Sequence, residues 1–149
     1  AVARGLLAAD THERLKRVWS EHLAWLQAHR PTLVTGGALP WTVYLAQCDG
    51  WYVSKIMDLS DLLYWDPAWD LAGVKYPVFR EPLAPELWEA FMSEYGSVPE
   101  EKRLGLYRLM QHLDAAMGNY LEPAAAEHTR WKAWVWERLE GLLGQVERL

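Results

Sequence analysis

Asp58 and Asp61 are the side chains in this sequence whose type and spacing best suit cation chemistry. A hard divalent cation takes carboxylate oxygens as ligands, and both residues follow a run of strand-forming residues, so both can point towards one preceding loop. The competing reading is that Asp61 begins or caps the next turn. Two more acids follow in Asp66-Pro67-Ala68-Trp69-Asp70-Leu71-Ala72. His22 and His29, seven residues apart, fall on a similar helical face and raise the idea of a metal pair. No carboxylate and histidine cluster accompanies them, so they read better as solvated or packed helix residues. Hydrolysis by a Ser/His/Asp triad has no support, because no G-x-S-x-G elbow occurs. Cys48 has no basic neighbour that would make it a reactive thiol, and reads as an incidental exposed residue.

The elements that must position Asp58 lie just before it. Val43–Gln47 and Trp51–Met57 are rich in β-branched and aromatic residues, and Cys48-Asp49-Gly50 between them supplies a turn that can take φ > 0. This predicts a β-hairpin. Thr35-Gly36-Gly37 and Pro40 form a loop ahead of it, so the hairpin brings Gly36–Thr42 and Asp58 together, roughly one strand-pair spacing apart (~5 Å). A loop and an acid at the two ends of one hairpin make a candidate site.

Loop, hairpin, acid and DPAWDLA segment, in this order and spacing, resemble the C-terminal lobe of the aminoglycoside phosphotransferase and choline kinase-like family, whose fold is related to protein kinases. In that family a loop Asp orients or deprotonates the attacking hydroxyl, and an Asn and a second Asp hold magnesium on the phosphates. Aligned on the motif, Thr35 stands at the histidine position, Gly37 at the loop-Asp position and Thr42 at the Asn position. Gly37 has no side chain to accept a proton, and Thr42 offers one neutral oxygen to a magnesium shell that favours carboxylates and water. Asp58 alone matches, at the metal-Asp position. Trp41 and Trp65 replace small residues, so the site is expected to be more apolar and partly filled. The resemblance gives Asp66 and Asp70 structural parts: Asp66 caps the next helix and Asp70 braces the loop by hydrogen bonds to its backbone.

The resemblance therefore implies a mainly α fold with a small β-hairpin (α+β), a helical kinase-like C-lobe without its N-lobe. Only 34 residues precede Thr35, and no β-rich lobe with a nucleotide-binding lysine is among them. The expected organisation is a single domain over 1–149: a leading helix (1–32), the degenerate loop, hairpin and DPAWDLA segment (33–72), and a helical subdomain (73–149).

Composition bounds the rest. The 149 residues suit one domain with a substantial core, and 51% hydrophobic content with ten Trp agrees. A formal net charge of −5 with dispersed Lys and Arg gives no basic stripe, which argues against nucleic-acid binding. There is no apolar run of transmembrane length, and Ala1–Ala9 lacks the pattern of a signal peptide. A lone cysteine cannot form an internal disulfide, which fits a reducing, cytoplasmic setting.

Periodicity places the helices. Asp10 and Glu13 have capping-box spacing ahead of Leu15, Val18, Trp19, Leu23 and Leu26, and Pro31 ends that helix near His29-Arg30. Leu59–Trp65 reads as an apolar connector, Asp66 begins a helix of two turns, and Gly73–Pro82 reads as loop. Pro85 opens a helix whose core stripe is Leu87, Trp88, Phe91, Met92 and Tyr95, stopping at Gly96. Ser97 and Glu100 cap a helix through Leu106, Leu109, Met110, Leu113 and Met117. The last helix, after Pro123, carries Trp131, Trp134, Val135, Leu139, Leu142, Leu143 and Val146.

Two function classes follow from the resemblance. The favoured one is a non-catalytic, pseudokinase-like lobe that needs no cofactor and works through self-association or a protein partner covering the Trp41 and Trp65 side. The alternative is one lobe of an ATP-dependent phosphotransferase for a small-molecule hydroxyl, with Mg2+ on Asp58 and Asp61 as base.

Overall fold

The computed structural model describes residues 7–36, 43–57, 62–78, 81–121 and 127–149, and the side chains of all of these except 51, 118–121, 127–133 and 135. The protein is mainly helical with short antiparallel strand pairs. In chain order the elements are α1 (Ala9–Gln27), β1 (Thr32–Val34), β2 (Val43–Gln47), β3 (Trp51–Ile56), β4 (Leu63–Trp65), α2 (Ala68–Lys75), α3 (Pro85–Tyr95), α4 (Glu101–Leu121) and α5 (Glu127–Val146). They form two compact units, one of residues 1–29 with 101–149, the other of residues 30–100. The boundary thus falls within the segment 73–149 that periodicity groups as one helical region, because α3 belongs with the strands.

In the helical unit, α4 and α5 pack along each other around Leu104, Tyr107, Leu139 and Leu143, all essentially without solvent exposure. Gly105 permits the approach: a Cβ there would meet Leu149 Cδ1 at 3.3 Å and Val146 Cγ2 at 3.9 Å. A polar clamp ties α1 to α5. Arg14 donates to Glu140 Oε2 at 3.0 Å and to Glu147 Oε2 at 2.7 Å, Arg17 donates to Glu147 Oε1 at 3.1 Å, and the Thr11 hydroxyl donates to Glu140. The hydrogen bond from Arg14 leads the causes that pull the Glu147 carboxyl below its usual range. Arg103 is buried, with its guanidinium 4.3 Å over the Trp25 ring and Nη2 donating to Trp25 O at 3.1 Å.

Helix α1 begins earlier than its capping-box spacing implies. Ala8 occupies the cap without a side-chain hydrogen bond, and Asp10 lies inside the first turn, where a carboxylate favours the helix dipole without capping. The helix stops at Gln27, so His29 lies beyond it and the pair with His22 does not share a helical face. Helix α4 likewise starts at Glu101, leaving Ser97 and Glu100 outside.

In the strand-bearing unit, the hairpin pairs Val43 with Ile56, Tyr44 with Lys55, Leu45 with Val53, Ala46 with Tyr52 and Gln47 with Trp51. Its turn closes with Cys48 N donating to Gly50 O at 3.1 Å, and Gly50 does not use a positive φ; the described glycines that do are Gly36 (82°) and Gly96 (89°), the latter stopping α3. Ser54 is the extra residue of a bulge, its hydroxyl donating to Tyr44 O at 3.0 Å. That insertion returns Ile56 to the face carrying Leu45 and Val53, because each bulge shifts the side-chain alternation by one.

A second strand pair corrects the reading of Leu59–Trp65 as connector. β1 and β4 are antiparallel, with Thr32 opposite Trp65, Leu33 opposite Tyr64 and Val34 opposite Leu63. α2 also runs through Gly73–Lys75, which the sequence reading placed in loop. On α3 only Trp88 and Met92 of the predicted core stripe are buried; Leu87, Phe91 and Tyr95 are exposed, the aromatic rings stacking in succession from Trp88 to Phe91 to Tyr95 at 6.0 and 5.9 Å. The stripe therefore spans more than the buried face.

Candidate functional site

The candidate site is assembled from the end of β1, the start of the following loop, and the first turn of α2. β1 and β4 are antiparallel, so Thr35 follows the end of β1 that faces Leu63, and α2, which begins beyond Trp65 at the other end of the pair, brings Asp70 back to it. Asp66 is buried at 7% exposure, its Oδ1 accepting from Ala68 N at 2.9 Å and its carbonyl oxygen from Trp69 N at 3.0 Å. Those bonds occupy backbone donors that the first turn of a helix leaves unpaired. With Asp66 holding that turn, Pro67 suits the fixed φ of a helix start.

The turn so fixed presents Trp69 and Asp70 to the loop. Asp70 Oδ2 accepts two hydrogen bonds from one residue, from Thr35 N at 2.7 Å and from Thr35 Oγ1 at 3.0 Å. Trp69 Nε1 donates to Gly36 O at 2.9 Å. Two consecutive loop residues are thus held by two adjacent helix residues, and Gly36 accommodates the turn with φ 82°, a region open to glycine without steric cost. Asp70 Oδ1 is buried with no hydrogen-bond partner among the described residues. The Thr35 hydroxyl is committed to Asp70, so its oxygen is engaged in bracing the loop.

Chemically, this arrangement orients backbone. It supplies a rigid start to the loop. Among the described residues no group of three or more His, Cys, Asp or Glu side chains is arranged to hold a metal ion. Gly37, Trp41, Thr42, Asp58 and Asp61 lie outside the described residues. Trp65 ends β4 opposite Thr32 and is 38% exposed. Cys48 is exposed and unbridged in the hairpin turn. His22 is half-buried beside Trp25, and burial, followed by the charge of Lys102, lowers its pKa.

The strands around the site are poorly covered. Leu33, Tyr44, Leu45, Tyr52, Val53, Ile56 and Tyr64 are each at least half exposed, Tyr64 at 73%. Sequence reasoning located Thr35, Asp66 and Asp70 but missed the β1–β4 pairing; the signal available was the β-branched and aromatic content of Thr32-Leu33-Val34 and Leu63-Tyr64-Trp65.

No family model, curated protein or solved structure matches this chain. No helix among the described residues is long and apolar enough to cross a membrane.

Proposed function

We propose that residues 33–72 are a degenerate phosphotransferase-type platform, derived from the small-molecule phosphotransferase lobe that the sequence resembles, which has kept its loop bracing and works by self-association instead of phosphoryl transfer. The observation that carries this reading is Asp70 accepting the Thr35 backbone N–H at 2.7 Å. Bracing of the loop backbone is the part that the resemblance assigns to this acid, while Gly37 and Thr42 stand where a proton acceptor and a magnesium ligand would be needed. A scaffold role keeps the first and dispenses with the second. One exposed cysteine suits a reducing, cytoplasmic setting.

Exposure supports the interaction half of the proposal. A two-stranded hairpin is marginal in water on its own, yet Tyr44, Leu45, Tyr52, Val53 and Ile56 leave the β2–β3 pair open to solvent. Tyr44 and Tyr52 lie on one face of that pair and Leu45, Val53 and Ile56 on the other, and Leu33, Met57, Leu62, Leu63, Tyr64 and Trp65 are exposed in the same unit, so apolar surface is open to a partner on either face of the hairpin. Sedimentation of the chain from micromolar to millimolar concentration tests this. Reversible association that is weakened at least tenfold in Val53→Lys and Tyr64→Lys is expected; a monomer throughout the range overturns it.

A further inference from the structure

Among the described residues, each strand pair has only two members, so every strand keeps one edge without a strand neighbour. Three of these four edges are blunted. β1 and β4 are three residues long, and very short edge strands are poor templates for a partner. β3 is interrupted by the Ser54 bulge and carries Lys55, two features that keep natural sheet edges from pairing. β2 has neither: Val43-Tyr44-Leu45-Ala46-Gln47 runs without a charge, a proline or an inserted residue.

The hairpin's own bonds fix which backbone groups look out from that edge. The Ser54 hydroxyl donates to Tyr44 O at 3.0 Å, so the Tyr44 carbonyl faces β3. Cys48 N donates to Gly50 O at 3.1 Å, so the Cys48 N–H faces the same way. In an antiparallel strand the N–H and C=O of one residue point to one side, and successive residues alternate. Tyr44, Ala46 and Cys48 therefore serve the β3 side, while Val43, Leu45 and Gln47 turn N–H and C=O to the open edge. No backbone group among the described residues meets them there. Such a row is satisfied by water or by another strand.

We propose that β2 pairs antiparallel with β2 of a second copy of this chain, centred on Leu45, joining two hairpins into one four-stranded sheet. This rests on the self-association put forward above and gives it a geometry. Outward-facing residues must oppose outward-facing residues. With Leu45 opposite Leu45 of the copy, Val43 meets Gln47 and the whole of β2 is used. Tyr44 then stands opposite Ala46, a large side chain against a small one, and no charge opposes a like charge. That self-match selects a second copy, because a two-fold contact must be complementary to itself. The chain carries a formal net charge of −5, so two copies repel over much of their surface, and an uncharged strand is where they can meet. The pairing also gives the hairpin what it lacks alone: a two-stranded pair is marginal in water, whereas three or more strands with an apolar face are not.

Amide hydrogen exchange of the full chain, read residue by residue at micromolar and millimolar concentration alongside sedimentation, tests the pairing. The Leu45 and Gln47 amides should be open to exchange when the chain is dilute and slow at least about tenfold as it associates. The Ala46 amide, on the β3 side, should be protected at both concentrations. Leu45→Pro removes an outward N–H and spares the β2–β3 ladder, the position at which a sheet edge tolerates proline. It should weaken association about thirtyfold or more while the Ala46 amide stays protected. Leu45→Ile keeps the N–H and should associate within about threefold of the wild type. Association with the Leu45 and Gln47 amides still open, or equally strong in Leu45→Pro, would overturn the edge pairing and leave self-association through side chains standing. A monomer at every concentration would overturn both. The wild-type exchange pattern decides even where Leu45→Pro does not fold.

Discussion

Asp70→Ala should loosen the start of the loop more than any other single truncation in residues 33–72. Two hydrogen bonds on Oδ2 are lost, from Thr35 N at 2.7 Å and Thr35 Oγ1 at 3.0 Å. A hydrogen bond to a charged group contributes about 1.5–3 kcal/mol, and leaving the backbone donor unpaired puts the effect towards the upper part of that range. Asp70 also lies in the first turn of α2, where a negative charge favours the helix dipole by a further ~0.3–1 kcal/mol. The expected loss is about 2–4 kcal/mol, against about 1 kcal/mol for Thr35→Val, which removes only the hydroxyl. Because the two residues share Oδ2, the double variant should cost less than the two single ones together, with a coupling of about 1 kcal/mol. Urea unfolding would measure the energies, and amide exchange at Thr35 and Gly36 would locate them. A cost below about 0.5 kcal/mol, or unchanged exchange at both amides, would refute the bracing role.

Further predictions concern the helical unit. His112 is fully buried with Nδ1 on Arg108 O at 2.9 Å, and burial, aided by the charges of Arg108 and Arg138, lowers its pKa to about 4. The unfolded chain takes up this proton near pH 6.5 and the folded chain only near pH 4. Stability should therefore be unaffected by His112 above pH 6.5 and fall by about 3 kcal/mol between pH 6.5 and 4, a slope that His112→Gln should remove in pH-dependent denaturation. Glu147, whose pKa is lowered chiefly by Arg14, should add an acid-side loss as its carboxylate protonates; Glu147→Gln should reduce both that loss and the salt sensitivity of melting. Arg103→Ala should lower stability by about 2–3 kcal/mol in chemical denaturation, since it removes the stack on Trp25 and the bond to its carbonyl. Gly105→Ala should change stability by less than about 1 kcal/mol, because the helix propensity gained offsets a contact at 3.3 Å with the exposed, terminal Leu149 side chain.

The mainly helical class, the β2–β3 hairpin and the stop at Gly96 were legible because each has a local cause: apolar recurrence, β-branched content, or a residue that tolerates positive φ. Helix starts were less so. Asp10 and Ser97 have the chemistry of caps, but Ala9 and Glu101 mark where the helical geometry begins, as the periodic signal does not fix the first turn. The β1–β4 pair escaped because three-residue strands some thirty positions apart carry almost no periodicity; only their pairing makes them strands. In the candidate site, Asp66 and Asp70 stood out by motif, whereas the Trp69 bond to Gly36 O depends on a close approach that no spacing encodes.

The most direct measurement of the central claim is a titration of the full chain with Mg-ATP and Mg-ADP, following tryptophan fluorescence and thermal unfolding together. A platform without the loop acid and the magnesium-binding amide should show no magnesium-dependent shift at millimolar nucleotide, and Asp58→Ala should behave as the wild type does. Stabilisation of about 2.7 kcal/mol at 100 times a measured dissociation constant, lost on removing magnesium or in Asp58→Ala, would contradict the account and return the chain to the phosphotransferases.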